Sequence, residues 1–152
     1  MGDNRGMDFD LVIIGGGLAG LALAAALRRS SLSVALVENA MPVFSSKGSA
    51  DCSATWDSRV YAISPANAHF LEQIGIWQHL DHARMEPVHA MQIFGDGKGR
   101  LDFSAYDSGV AELAWILESS LMQAELWEMV KRQGNLTLFC PASAQALTLD
   151  ET

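Results

Sequence analysis

The sequence is poor in cysteine, in positive charge and in long apolar runs. Cys52 and Cys140 are its two cysteines. Two thiols make neither a disulfide scaffold nor a zinc site, so both read as free thiols in a reducing compartment, with a single bridge left open. Ten Lys and Arg stand against 18 Asp and Glu, a net charge of -8. An acidic chain repels phosphate backbones, which argues against nonspecific nucleic-acid binding. The longest uncharged stretch, Leu11 to Leu27, sits at the lower limit of a membrane span. Gly15, Gly16, Gly17 and Gly20 would break such a helix near its middle. The leader carries Asp3, Asp8 and Asp10 against a lone Arg5, unlike a signal peptide, and Gly6 stands where a myristoylation signal needs Ser or Thr. A soluble cytoplasmic protein is expected.

Apolar residues are 49% of the chain and charged ones 18%, enough for a buried core and too few charges for a disordered chain. The 152 residues suit one ordinary domain or a piece of a larger one. Past a loose leader, Phe9 to Ile14 is a short β-branched run, as in a buried parallel strand. Leu18 to Arg29 is rich in Leu and Ala and reads as a helix, with Arg28 and Arg29 complementing its dipole in the last turn. Ser33 to Val37 is a second strand ending at Glu38. Together they have the size of one βαβ unit.

Ala40 to Ser58, with Pro42, Gly48 and five serines, reads as a long loop. Ser64-Pro65 opens a helix with Phe70, Leu71, Ile74 and Trp77 on one face and Gly75 at its end. Val88 to Phe94 and Leu101 to Phe103 read as strands around the turn at 95–99. Ser120 and Gln123 have capping-box spacing, opening a helix toward Lys131 and Arg132 whose inner side carries Met122, Leu126 and Met129 or Val130. Gly134-Asn135 stops it. Leu136 to Cys140 is a further strand, closed by Pro141.

The strongest chemical signal is Gly15-Gly16-Gly17-Leu18-Ala19-Gly20, a G-x-G-x-x-G between a strand and a helix. Gly15 permits the tight turn. Gly17 lets a pyrophosphate approach the backbone, and Gly20 lets the helix pack closely on the strand. The helix N-terminus offers free N–H groups to an anion. Glu38 ends the second strand, eighteen residues past Gly20. A carboxylate there accepts hydrogen bonds from a ribose diol and repels a 2′-phosphate. The turn by itself fits FAD and NAD equally, because both carry an ADP half.

Other segments carry a family resemblance. Asp57 to Ala66 (Asp-Ser-Arg-Val-Tyr-Ala-Ile-Ser-Pro-Ala) resembles the Arg-x-x-Ala-Leu-Ser segment of ubiquinone-biosynthesis flavin hydroxylases. Phe70 to Trp77 is similar to their Leu-Leu-x-x-Leu-Gly-Val-Trp helix, and Pro87 to Phe94 to the strand that follows. Leu113 to Trp127 is similar to their late segment, with Glu118, Gln123, Leu126 and Trp127 in place. Ser119 stands where the family usually has Asn, and Glu125 where it has Ala. The likeness runs from about Phe9 to Cys140.

The resemblance implies an oxidoreductase of the para-hydroxybenzoate-hydroxylase type. Such a monooxygenase uses FAD, NAD(P)H and O₂ to hydroxylate an aromatic ring, the hard chemistry belonging to the flavin. The fold implied is α/β, a Rossmann-like FAD-binding βαβ with a parallel sheet, plus a β-hairpin from the start of a substrate domain. Residues 1–152 would be the N-terminal part of the FAD-binding domain, with 85–115 opening the substrate-domain sheet. Gly15, Gly17 and Gly20 would contact the pyrophosphate side and Glu38 the ADP ribose. Arg59 would lie near the flavin's phosphate or ribitol, and Gln123 near the cofactor. A guanidinium fork suits phosphate independently of any family, against the plainer reading of a surface ion pair with Asp57 or another acid. Gln123 has the capping box as its plainer reading.

The implied substrate is a polyprenyl phenol or quinol. A ubiquinone-biosynthesis protein complex and peripheral contact at the inner membrane would be in keeping with it. In the family an Asp-Gly motif follows the strand that ends near Cys140 and a Gly-Asp motif comes later still; the residues up to Thr152 reach neither, so no hydroxylase activity is expected from them alone, and open strand edges predict aggregation. Two other readings stand: a non-catalytic module binding a nucleotide or partner, and an NAD-dependent dehydrogenase domain. His69, His79, His82 and His89 lack the clustering of a metal site. Trp77, Trp115 and Trp127 read as packing. No G-x-S-x-G turn and no Walker lysine is present.

Overall fold

A computed structural model describes residues 7–42 and 56–148. The first six residues, most of the 40–58 loop and Cys52 lie outside them. The chain divides into two compact units, residues 1–44 with 123–152 and residues 45–122.

The first unit is built on a parallel sheet. Strand β1 (Leu11–Ile14) leads through the glycine turn into helix α1 (Leu18–Ala26), which tightens into a 3₁₀ turn over Leu27–Arg29 and returns along β2 (Val34–Val37). Strand β2 is central, flanked by β1 and by the late strand β8 (Leu136–Phe139), all parallel. Ile13 lies beside Leu36, and Leu36 beside Leu138. The three apolar residues Val34, Ala35 and Leu36 are buried, as a central parallel strand requires. Helix α1 buries Leu21, Ala24 and Ala25. Each fully buried Leu contributes roughly 1.5–3 kcal/mol by area. The carbonyls at the end of α1 find side-chain donors far along the chain. Gln133 Nε2 donates to the Ala24 carbonyl at 3.0 Å, and Asn135 Nδ2 to that of Leu27 at 3.0 Å. Phe9 and Phe139 meet edge to face at 5.9 Å.

The second unit is antiparallel. Strand β3 (Val60–Ile63) and β4 (Glu86–Val88) flank β7 (Ala114–Glu118), while β5 (Ala90–Phe94) and β6 (Arg100–Ser104) form a separate hairpin. Helix α2 (Pro65–Gln73) starts as its sequence indicates: Ser64 Oγ accepts from the N–H of Asn67 at 3.4 Å, with Pro65 in the first turn. Gly75, at φ +86, closes it. Trp77 and Trp115 pack edge to face at 5.3 Å. The expected α/β fold, with its Rossmann-like βαβ and a β-hairpin, is the observed one.

Three details differ from the sequence reading. The run 88–94 is two strands in two sheets, because its extended backbone leaves β7 after Val88. Strands β3 and β7 carry no alternation that marks them. Helix α3 (Ser119–Val130) starts a residue before Ser120, and no capping box opens it. Its N-terminal N–H at Ser120 donates instead to Asp57 Oδ2 at 3.1 Å. The inner side of α3 is as expected, with Met122, Leu126 and Val130 buried. On the β5–β6 hairpin Met91, Ile93, Phe94, Leu101 and Phe103 are exposed.

Candidate functional site

The glycine turn joins β1 to α1, and each glycine has a separate physical reason. The N–H of Gly15 still donates to the Val37 carbonyl at 2.8 Å, extending the parallel ladder by one step. Its φ of +108° then turns the chain, a conformation that L side chains rarely adopt. Gly17 is the N-cap of α1 and has no side chain to offer the first turn, which also holds no acidic residue. A Cβ on Gly17 would meet nothing within 4 Å. The positive end of α1 is therefore uncapped and open at that point. Gly20 is the opposite case: a Cβ there would stand 2.1 Å from the Gly15 carbonyl oxygen.

Gly16, the position between the two motif glycines, is the residue that sequence reasoning passed over. Its N–H donates to Glu38 Oε2, and its carbonyl accepts from Gln123 Nε2 at 2.9 Å. A Cβ on Gly16 would lie 3.0 Å from Glu38 Oε2 and 3.2 Å from Trp127 Cζ3. Two of the predicted site residues, Glu38 and Gln123, are thus brought onto the turn itself. Trp127 is buried, so its packing reading holds, and what it packs against includes Gly16.

Glu38 Oε1 also accepts from the N–H of Ala40 at 3.1 Å. The Gly16 N–H, followed by that of Ala40, holds the Glu38 carboxyl below its ordinary range, against a smaller opposing effect of burial. A carboxylate has about four acceptor positions, so the two backbone bonds leave capacity for further donors. A depressed folded pKa adds stability that is complete above the unfolded value and is lost as pH falls through the folded one. Glu38→Gln should therefore be less stable than wild type at pH 7, with the gap closing on acidification. Urea midpoints for both proteins between pH 7 and pH 3 test this; a gap constant with pH would refute it.

Arg59 lies in the second unit. Its N–H donates to Asp57 Oδ1 at 2.9 Å and its carbonyl accepts from Ser119 at 2.8 Å. Its guanidinium is exposed and forms no hydrogen bond or ion pair among the described residues, so the plain surface pair with Asp57 is not formed. Asp57 is instead held ionised first by the Arg59 N–H, with the Arg59 charge adding a smaller effect.

The late segment places Glu118 in the second unit's interior, at 1% exposure. One guanidinium nitrogen of Arg84 lies 2.6 Å from both carboxylate oxygens. Oε1 also accepts from the N–H of Asp57, whereas Oε2 lies off the hydrogen-bonding direction and has no bond of its own. The Arg84 guanidinium sits 4.7 Å from the centre of the Trp56 ring. No sequence signal marked Arg84. Among the described residues no cluster of three or more His, Cys, Asp or Glu could hold a metal, and no helix is long and apolar enough to cross a membrane.

Residues 10–88, just over half of the chain, match the family described as FAD binding domain. The chain belongs to that family. FAD binding domain relatives include the ubiquinone biosynthesis monooxygenase COQ6 of Drosophila melanogaster, 30% identical over 93% of this chain and 30% of its own length. The 3-demethoxyubiquinol 3-hydroxylase of Escherichia coli is 28% identical over 91% of this chain and 34% of its own. The chain thus spans about a third of the curated relatives it matches. The expected resemblance to ubiquinone-biosynthesis hydroxylases is borne out. In fold, the chain is similar to PqsL, a probable FAD-dependent monooxygenase from Pseudomonas aeruginosa, with a TM-score of 0.67 and 21% identity over 94% of this chain and 35% of that one. It is also similar to the flavin-dependent monooxygenase PieE, with a TM-score of 0.59 and 18% identity over 88% of this chain and 24% of that one.

The glycine turn fits the ADP half of FAD. An open Cα at Gly17, an uncapped helix start and spare acceptor capacity on Glu38 are what a pyrophosphate next to a ribose diol needs.

Proposed function

We propose that this chain supplies the FAD-binding part of an NAD(P)H- and O₂-dependent aromatic-ring hydroxylase of ubiquinone biosynthesis. The activity proposed is that of a whole protein of the kind its curated relatives represent, and these residues contribute cofactor binding. FAD, when bound, supplies the redox and oxygen chemistry. The chain's own residues bind and orient. Gly15 shapes the turn, Gly17 admits the pyrophosphate to the backbone, and Gly20 seats α1 on β1 so that its first N–H groups face the anion. Glu38 accepts from the ribose hydroxyls. Gln123 belongs with this set through its bond to Gly16. For Arg59 the support is its exposed guanidinium, which pairs with no group among the described residues and whose fork suits the flavin's phosphate or ribitol. Residues 85–115 are proposed as the opening of a substrate-domain sheet. The substrate proposed is a greasy polyprenyl phenol or quinol, met at the inner membrane by peripheral contact or within a biosynthetic complex.

The observation that carries this reading is the contrast between Gly17, with nothing within 4 Å of a Cβ, and Gly20, with a backbone oxygen at 2.1 Å. One glycine is kept for packing, and the other for space that none of the described residues uses. The experiment is an FAD titration of the chain followed by flavin fluorescence, with Gly17→Val as control. Wild type should bind saturably. Gly17→Val should keep its far-UV circular dichroism and lose at least about tenfold in affinity, about 1.4 kcal/mol. A folded wild-type chain that binds no FAD, or a control that binds equally well, would count against the proposal.

A further inference from the structure

We infer that Gln123 is a positioning residue for the anion-binding turn, acting through the Gly16–Gly17 peptide rather than on the cofactor. The inference rests on the dinucleotide reading of the turn.

Three side chains hold Gly16. Glu38, at the end of β2, takes its N–H, and Gln123, on α3, donates to its carbonyl at 2.9 Å. The Trp127 ring, one helical turn further along α3, closes the space that a Cβ would need. Among the described residues no side chain holds Gly17, the next residue, and a Cβ there would meet nothing within 4 Å. A trans peptide is planar, with its C=O and N–H pointing in opposite directions. Fixing the Gly16 oxygen toward Gln123 therefore fixes the Gly17 N–H away from α3. That N–H is one of the first donors at the start of α1, where an anion would be received.

A glycine pair has more backbone freedom than any other dipeptide, so this peptide is the one most in need of an external hold. The turn's other ties do not supply it. The Gly15 N–H bond to Val37 acts two peptides earlier, the Gly16 N–H bond to Glu38 one peptide earlier, and the Leu21 N–H bond to the Gly17 carbonyl one peptide later. Gln123 is not occupied in capping α3, because Asp57 accepts from the Ser120 N–H. Gln123 lies 107 residues from Gly16, so this hold on the turn exists only where α3 is packed against it.

A positioning role predicts a loss specific to phosphate. A residue that merely stabilises the fold would weaken every ligand alike. The test is calorimetric titration of wild type and Gln123→Met with two probes, ADP and adenosine. Methionine keeps the length and removes the donor. We expect wild type to prefer ADP, and Gln123→Met to lose roughly fivefold to tenfold in ADP affinity, the scale of one hydrogen bond. Adenosine affinity should stay within about twofold. The ¹⁵N–¹H resonance of Gly17 should also shift in the variant. Gln123→Leu gives the same test if Gln123→Met does not fold. Equal losses for ADP and adenosine, or no loss for either, would overturn the inference while leaving the dinucleotide reading in place. A wild-type chain that binds neither probe would instead overturn the reading itself, and the inference with it.

Discussion

Replacing Gly20 with alanine is expected to destabilise the chain by about 3 kcal/mol, the upper part of the range for overpacking. Inside a helix the same exchange ordinarily gains up to about 1 kcal/mol, since alanine is the better helix former. The sign is reversed here by a single contact. The new Cβ would stand 2.1 Å from the Gly15 carbonyl oxygen, and 3.2 Å from Ile13 Cγ2. The oxygen belongs to backbone, so no rotamer change relieves the clash. Either α1 lifts off β1 or the turn at Gly15 distorts. Gly17→Ala is the matched control: its Cβ meets nothing within 4 Å, so the loss should be no more than the roughly 1 kcal/mol that Ala costs at an N-cap, while cofactor affinity falls. Urea unfolding followed by tryptophan fluorescence measures both. A Gly20→Ala protein as stable as wild type would show that helix and strand are not locked at this point.

Arg84→Ala should cost about 3–5 kcal/mol, the usual penalty for stripping the partner from a buried charge. Glu118 is 1% exposed, and both its oxygens lie 2.6 Å from one Arg84 nitrogen. Without the guanidinium, the Asp57 N–H is the remaining donor to the carboxylate among the described residues. The loss is a large part of the 5–15 kcal/mol that a domain typically has. The pair itself need not be a net source of stability, because two charges must be desolvated to form it. Arg84→Met with Glu118→Leu should therefore be far more stable than Arg84→Ala alone, giving a coupling of about 2 kcal/mol or more in a double-mutant cycle. Additive effects in that cycle would mean that the two side chains act independently. Trp56, 4.7 Å from the Arg84 guanidinium, should report the single substitution through its fluorescence.

The two effects differ in how far the sequence reveals them. The Gly20 contact follows from spacing along one short segment, whereas the Arg84–Glu118 pair joins two residues with no mutual signature. The same contrast runs through the fold. Strand, turn, helix and strand over 11–37 were legible because each demand there is local: β-branched residues, a positive φ, good helix formers. Ser64-Pro65 announced α2 for the same reason, since a cap and its N–H partner lie three residues apart. Strands β3 and β7 were not legible. Each is a short piece without alternation, and Val60 becomes a strand residue by pairing with Glu118. The capping-box reading of Ser120 and Gln123 failed because a distant residue, Asp57, took the helix N–H first.

By itself, the sequence determined the parallel βαβ, the placing of Gly15, Gly17 and Gly20, the carboxylate at Glu38 and the family. These depend on backbone conformation and spacing, which a short stretch of residues carries whole. Only the tertiary structure decided what holds Gly16, what Gln123 does, and which cation neutralises Glu118. Those contacts join residues 22 to 107 positions apart. Their partners become neighbours only when sheet and helices are packed, because a side chain's hydrogen-bond capacity names a type of partner and only the fold supplies one within reach.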